Sequence, residues 1–194
     1  MNTSPITKIT SWLEFLGKTL HLVGCATVCG KSEVMLTYLY CIFRMPRLKS
    51  VDLSHNKIRH FHSDSFISTP LVDELKLSHN GLTEVSDVSF VMDALPKLRI
   101  LDLSENDIRD IPFGALRGYP ALERLFLASN QISRVSLQAL ADMPSLVELD
   151  LSDNKLIADA IDGPIFDLPN LKILNLSHNK LAILNDQLLT TLNR

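Results

Sequence analysis

Six stretches of this chain are near copies of one another, and their period limits the fold more than any other property. Aligned, they read LKSVDLSHNKI, VDELKLSHNGL, LRILDLSENDI, LERLFLASNQI, LVELDLSDNKL and LKILNLSHNKL. Each fits L-x-x-L-x-L-x-x-N-x-L, with Val or Ile standing in for Leu. The asparagines fall at Asn56, Asn80, Asn106, Asn130, Asn154 and Asn179, at intervals of 24, 26, 24, 24 and 25 residues. Six matches at almost one period mark a stacked repeat and leave little room for coincidence.

The pattern identifies a leucine-rich repeat array, which covers 147 of the 194 residues. Each of its features has a physical reason. Leu101 and Leu103, with their equivalents, alternate with polar residues, which predicts a short strand with one buried face. The Asn turns inward, where its amide meets backbone groups that the turn leaves unpaired and reaches the neighbouring coil. A later apolar residue (Phe66, Phe90, Leu116, Leu140, Ile165, Leu189) closes the outer side. Leu95-Pro96, Tyr119-Pro120, Met143-Pro144 and Leu168-Pro169 then turn the chain into its next strand, because Pro presets the bend and has no N–H to leave unpaired. The expected fold is an α/β solenoid. It is a horseshoe with a concave parallel β-sheet and a convex side that is mostly irregular or short-helical. No coil buries its apolar face alone, so stability comes from stacking. Six strands at ~4.8 Å span roughly 24 Å. Two extra residues after Asn80 and one after Asn154 should bulge outward and leave the sheet unbroken.

Two domains follow from this pattern: residues 48–194 as six repeats, and residues 1–47 as a flanking or capping segment. Residues 11–23, SWLEFLGKTLHLV, look like an amphipathic helix, and Val34–Met45 like a second apolar segment. Ile42, Met45 and Pro46 echo Leu140, Met143 and Pro144, so Val34–Arg47 reads as the outer half of a degenerate first coil.

The array resembles the 24-residue class of leucine-rich repeats, common in extracellular and cell-surface animal proteins such as Toll-like receptors, chaoptin-like adhesion proteins and small leucine-rich proteoglycans. Repeat length and phrases such as IPFGALRGYPALERL carry that resemblance. It implies non-enzymatic recognition of a protein partner or ligand through the concave face, in a receptor or adhesion protein, with no cofactor. An intracellular scaffold or regulatory subunit of the same fold is the alternative. A nucleotide-binding enzyme is a third reading. It rests on LVGCATVCGKS, where an apolar run, a Gly-rich loop and Gly-Lys-Ser imitate a phosphate-binding loop. That loop needs four residues between its glycines so that the backbone amides wrap a phosphate. Gly24 and Gly30 are separated by five, and the 47 residues before the repeats leave no space for the parallel strands such an enzyme requires.

Composition is globular, with 46% apolar and 21% charged residues. Residues 1–47 carry a net charge of +3 and the remainder −6. A weakly acidic body argues against nucleic acid as a partner. No segment approaches the roughly 18 apolar residues of a membrane span. The apolar stretch from Ile9 to Val23 is broken by Glu14, Lys18 and His21 and makes a poor signal peptide. The localisation implied by the resemblance is extracellular or cell-surface, with cytoplasmic as the alternative. Cys25, Cys29 and Cys41 are the three cysteines, an odd number that leaves at least one thiol unpaired within the chain. They do not match the four-cysteine cap of extracellular relatives.

Candidate partner-binding residues lie on the concave strands: Lys76, Ile100, Asp102, Arg124, Phe126, Glu148, Asp150 and Asn175. Phe126 is an aromatic where equivalent positions are polar, flanked by Asp102 and Asp150 and beside Arg124. It reads as an interface anchor, with Ile100 and Ile173 adding apolar area. The alternative is a solitary exposed apolar residue. The carboxylates Asp52, Asp102 and Asp150 suggest acid–base chemistry only superficially, because Lys76 interrupts them and no closed pocket forms. His55, His79 and His178 precede the repeat Asn, with His60 and His62 nearby. They are ordinary repeat filling and lack the three or four convergent ligands of a metal site. Asn175-Leu176-Ser177 and Asn2-Thr3-Ser4 are glycosylation sequons. At the C-terminal end, Leu174, Leu176, Leu181, Leu184 and Leu189 have no following coil. The expectation is a longer array or association through that end.

Overall fold

The computed structural model describes residues 19–21, 46–59, 66, 69–85, 95–112, 115–116, 119–136, 140, 143–157, 161–162 and 168–181. Ten strands follow in chain order: β1 (Thr19–His21), β2 (Ser50–Asp52), β3 (Glu74–Lys76), β4 (Ile100–Asp102), β5 (Asp110–Ile111), β6 (Arg124–Phe126), β7 (Arg134–Ser136), β8 (Glu148–Asp150), β9 (Ile161–Asp162) and β10 (Ile173–Asn175). Seven form one parallel sheet in the order β1-β2-β3-β4-β6-β8-β10, and β5-β7-β9 form a second, narrower one. The register follows the repeat. Ser50 faces Glu74, Glu74 faces Ile100, Ile100 faces Arg124, Arg124 faces Glu148, and Glu148 faces Ile173. The two longer repeats pair without interrupting the sheet.

In β2, β3, β4, β6 and β8 the middle residue and the Leu two positions on point into the stack. Val51, Leu53, Leu75, Leu77, Leu101, Leu103, Leu125 and Leu127 are fully buried, in one continuous core with Phe66, Leu116 and Leu140 from the outer side. Burying each such side chain is worth about 1.5–3 kcal/mol. Phe90, Ile165 and Leu189 lie outside the described residues. The prolines sit at the second position of turns closed by Leu98 N–H to Leu95 O, Leu122 N–H to Tyr119 O, Leu146 N–H to Met143 O and Leu171 N–H to Leu168 O, at 3.1–3.2 Å. That is where their fixed φ suits a β-turn. Thr69-Pro70 makes the same turn one coil earlier, with Val72 N–H on Thr69 O at 3.1 Å. The buried Thr69 hydroxyl is satisfied by donating to Phe66 O at 2.9 Å.

Two observations depart from the sequence reading. Residues Thr19–His21 are a strand, not part of a helix over 11–23, and they pair in parallel with β2, Thr19 opposite Ser50 and His21 opposite Asp52. Strand β2 would otherwise present a row of unpaired backbone groups, and pairing outweighs a weak helical pattern there. The second departure is that in three coils the stretch beyond the Asn adds a short strand to an otherwise irregular side. Ile111, Val135 and Ile161 stack in register across β5, β7 and β9. These β-branched residues suit a pleated surface. Residues 24–32, with the loop-like Gly24–Ser32, and Cys25, Cys29 and Cys41 lie outside the described residues. So do Leu184 and Leu189; Leu174, Leu176 and Leu181 are partly buried against the core. Among the described residues no helix is long and apolar enough to cross a membrane.

Candidate protein-binding face

The site rests on the asparagine row, which ties each repeat strand to its neighbouring coil. In the central coil, Asn106 Nδ2 donates to Leu103 O and Ser104 O of its own coil and to Leu77 O of the preceding one, each at 3.0 Å. Its Oδ1 accepts the buried Leu82 N–H at 3.1 Å. Asn80, Asn130, Asn154 and Asn179 repeat this pattern, their Oδ1 atoms accepting from Ile58, Ile108, Ile132 and Leu156. Asn56 donates to Leu53 O and Ser54 O. The turn that aims each Asn inward places the residue before it in the left-handed region: His55, His79, Glu105, Ser129, Asp153 and His178 have φ of 52–55°. None is Gly, so each of these positions is strained. The N–H groups of the first five still join the ladder, for example Glu105 N–H on Ala128 O at 2.9 Å.

Outward-facing residues form two columns across the sheet. One runs Ser50, Glu74, Ile100, Arg124, Glu148, Ile173, and the other Asp52, Lys76, Asp102, Phe126, Asp150, Asn175. The structure thus places all eight sequence-derived candidates on one face. Phe126 is half-buried between Asp102 and Asp150, and Ile100 lies on its diagonal one strand away. Ile173 is 51% exposed but is separated from Phe126 by β8, so the apolar area is not continuous.

The acids in the second column have a local duty that the sequence reading missed. Asp102 Oδ1 accepts the Ser104 N–H at 3.0 Å, and Asp52 does the same with Ser54 at 3.0 Å. Asp150 Oδ1 accepts both the N–H and the hydroxyl of Ser152, at 2.9 and 2.6 Å. Asn175 takes the same role with Ser177, at 3.1 and 2.8 Å. The signal was the recurring Asp/Asn-Leu-Ser, an acceptor two residues before a turn amide. In the three aspartates this bond uses one carboxylate oxygen and fixes the direction of the other. Asn175 Nδ2, the atom a glycan would take, faces Asp150 Oδ2 at 3.3 Å.

Polar and charged pairs within a strand and between adjacent coils were also missed. Ser50 donates to Glu74 Oε2 at 2.7 Å, and Lys76 Nζ sits 3.1 Å from Glu74 Oε1. The Ser50 hydroxyl first, and Lys76 after it, hold the Glu74 carboxyl below its ordinary range, against the opposing effect of burial. Arg99 donates twice to Glu123, at 2.8 and 2.7 Å. That pairing lowers the Glu123 carboxyl and raises the Arg99 guanidinium. Along the edge of the face, the His55 and His79 rings stack with centroids 3.9 Å apart, and His79 Nε2 meets Glu105 Oε2 at 2.8 Å. Among the described residues no group of three or more His, Cys, Asp or Glu could hold a metal.

Comparison with known proteins follows the same lines. A family model described as leucine rich repeat matches residues 41–82 and 96–156, and a second leucine-rich repeat model matches 167–182. Osteomodulin of Bos taurus is 30% identical over 83% of this chain and 40% of its own length. Tsukushi of Mus musculus is 30% identical over 93% of this chain and 47% of its own length. The chain therefore spans less than half of either relative. Among solved structures, the chain in the crystal structure of a TLR13–ssRNA13 complex superimposes with a TM-score of 0.62 at 25% identity, over 76% of this chain and 24% of that one. With the period, the asparagine row and the in-register parallel sheet, these matches make the protein a member of the leucine-rich repeat family.

Proposed function

We propose that this chain is a non-enzymatic recognition module of an extracellular or cell-surface protein, and that it binds a protein partner through the concave sheet. The observation that carries this reading is Phe126, a half-buried aromatic at the centre of a face whose same-column neighbours are preset polar groups. Aromatic anchors surrounded by polar contacts are the usual source of binding energy at interfaces. Lys76, Ile100, Asp102, Arg124, Glu148, Asp150 and Asn175 form the surrounding contacts. Hydrogen bonds hold this face in place before any partner arrives, which limits the ordering entropy lost on binding. The acids on the face favour protein over nucleic acid, whose phosphates they would repel. The 24-residue repeat class supports the extracellular assignment, and a glycan at Asn175 would cover the β10 end of the face. Residues 1–47 act in this reading as a flanking coil, supported by β1 lying on β2.

A photo-crosslinking residue placed at Ile100, and separately at the exposed Arg134 beyond the Asn row, tests the reading in the source cell. Protein adducts from Ile100 and not from Arg134 are expected. Adducts from Arg134 alone, or nucleic acid captured at Ile100, would contradict it.

A further inference from the structure

We infer that the partner presents a helix to the Phe126 surface, with cationic side chains at i and i+7 and apolar side chains at i+3 and i+4. This deepens the concave-face reading and rests on it. Three observations fix the chemistry. First, Phe126 supplies an apolar contact with Ile100 on its diagonal. Second, the charge around it is uneven: Asp102, Asp150 and Glu148 surround it with Arg124 as their counterweight. The neighbouring cations are already engaged, Lys76 with Glu74 and Arg99 with Glu123. A surface of this kind complements positive groups on either side of an apolar one. Third, the spacing selects the backbone. Asp102 and Asp150 lie two strand intervals apart, ~9.6 Å, with Phe126 midway. A helix repeats a face at i and i+7, about 10.5 Å, with i+3 and i+4 between. An extended segment offers same-face side chains at roughly 6.6 and 13 Å, which match the two acids poorly. The acids are also aimed in advance: Ser104 holds one oxygen of Asp102, while Ser152 and Asn175 hold the two oxygens of Asp150.

The sheet itself supplies a conservative variant. Asn175 makes the same turn bond as the aspartates, so Asp102→Asn with Asp150→Asn removes charge and keeps the acceptor. The probe is a helix-constrained synthetic peptide with Lys at i and i+7 and Leu at i+3 and i+4, its binding to the whole chain read by fluorescence anisotropy. We expect the double Asn variant to weaken binding at least about tenfold, with an unchanged thermal midpoint. Added salt should shrink that difference. Moving the second Lys to i+5, or replacing both Lys by Glu, should abolish the gain. Absence of binding, or equal binding to the double Asn variant, overturns the inference. A Glu-bearing peptide that binds and is lost on Phe126→Ala overturns it too, but leaves the concave-face reading standing. Lys-peptide binding indifferent to Phe126→Ala overturns both.

Discussion

At the scale of single residues, the asparagines carry the fold. Asn106→Ala leaves the buried Leu82 N–H without its partner and takes one of two hydrogen bonds from each of three carbonyls, Leu77, Leu103 and Ser104, which keep Asn80, Asn130 and the His79 N–H. The loss should be about 1–3 kcal/mol, read by chemical denaturation. This role was legible because a polar residue recurring inside an apolar pattern must be satisfied where it is buried. The left-handed residue before it was not. Glycine usually announces that conformation, and here His, Glu, Ser and Asp occupy it. Ser129 is exposed with φ 54°. Ser129→Val should therefore cost about 1–2 kcal/mol, since a β-branched side chain is poorly accommodated there. Ser129→Gly should stay within roughly 0.5 kcal/mol of the parent, its relief of strain offset by a freer unfolded chain. Equal stability of the Val and Gly variants would contradict the strain argument.

Among the elements, the six repeat strands and their register were legible because alternation and period fix which residues face inward. Strand β1 was not, because it lies before the first repeat and its stability lies in the edge of β2 that it covers. The second sheet was missed for a related reason: β5, β7 and β9 lie beyond the last consensus position of their repeats, at Ile108, Ile132 and Leu156. The Ser50–Glu74 and Arg99–Glu123 pairs become visible only when residues one coil apart are placed side by side. They give the sheet an acid sensitivity. Glu74 and Glu123 have folded pKa values below the ordinary 4.5. Their stabilisation is thus complete above that value and is lost as pH falls through the lowered ones. Stability should drop on the acid side of pH 4.5, and Ser50→Ala should reduce the part due to Glu74. Urea midpoints across that range provide the measurement. Indistinguishable acid profiles for the parent and Ser50→Ala would show that the Ser50 hydroxyl is not the cause.

For the whole molecule, stacking converts short, individually unstable coils into one core with a preset face. The fold was legible almost entirely from period. The site was legible only in part. Phe126 was visible as an aromatic in a polar column, whereas the aspartates beside it read as free carboxylates until the turn bonds showed one oxygen of each in use. Rigidity of the face and the position of its anchor together make the central claim, that binding energy is concentrated on the concave sheet. The most direct measurement is an alanine scan of binding to the partner captured at Ile100, with folding monitored in parallel. Phe126→Ala should weaken binding by more than ~1 kcal/mol with an unchanged unfolding midpoint, while Arg134→Ala and Lys155→Ala have no effect. Loss of binding confined to Arg134 and Lys155, with Phe126→Ala neutral, would contradict the account.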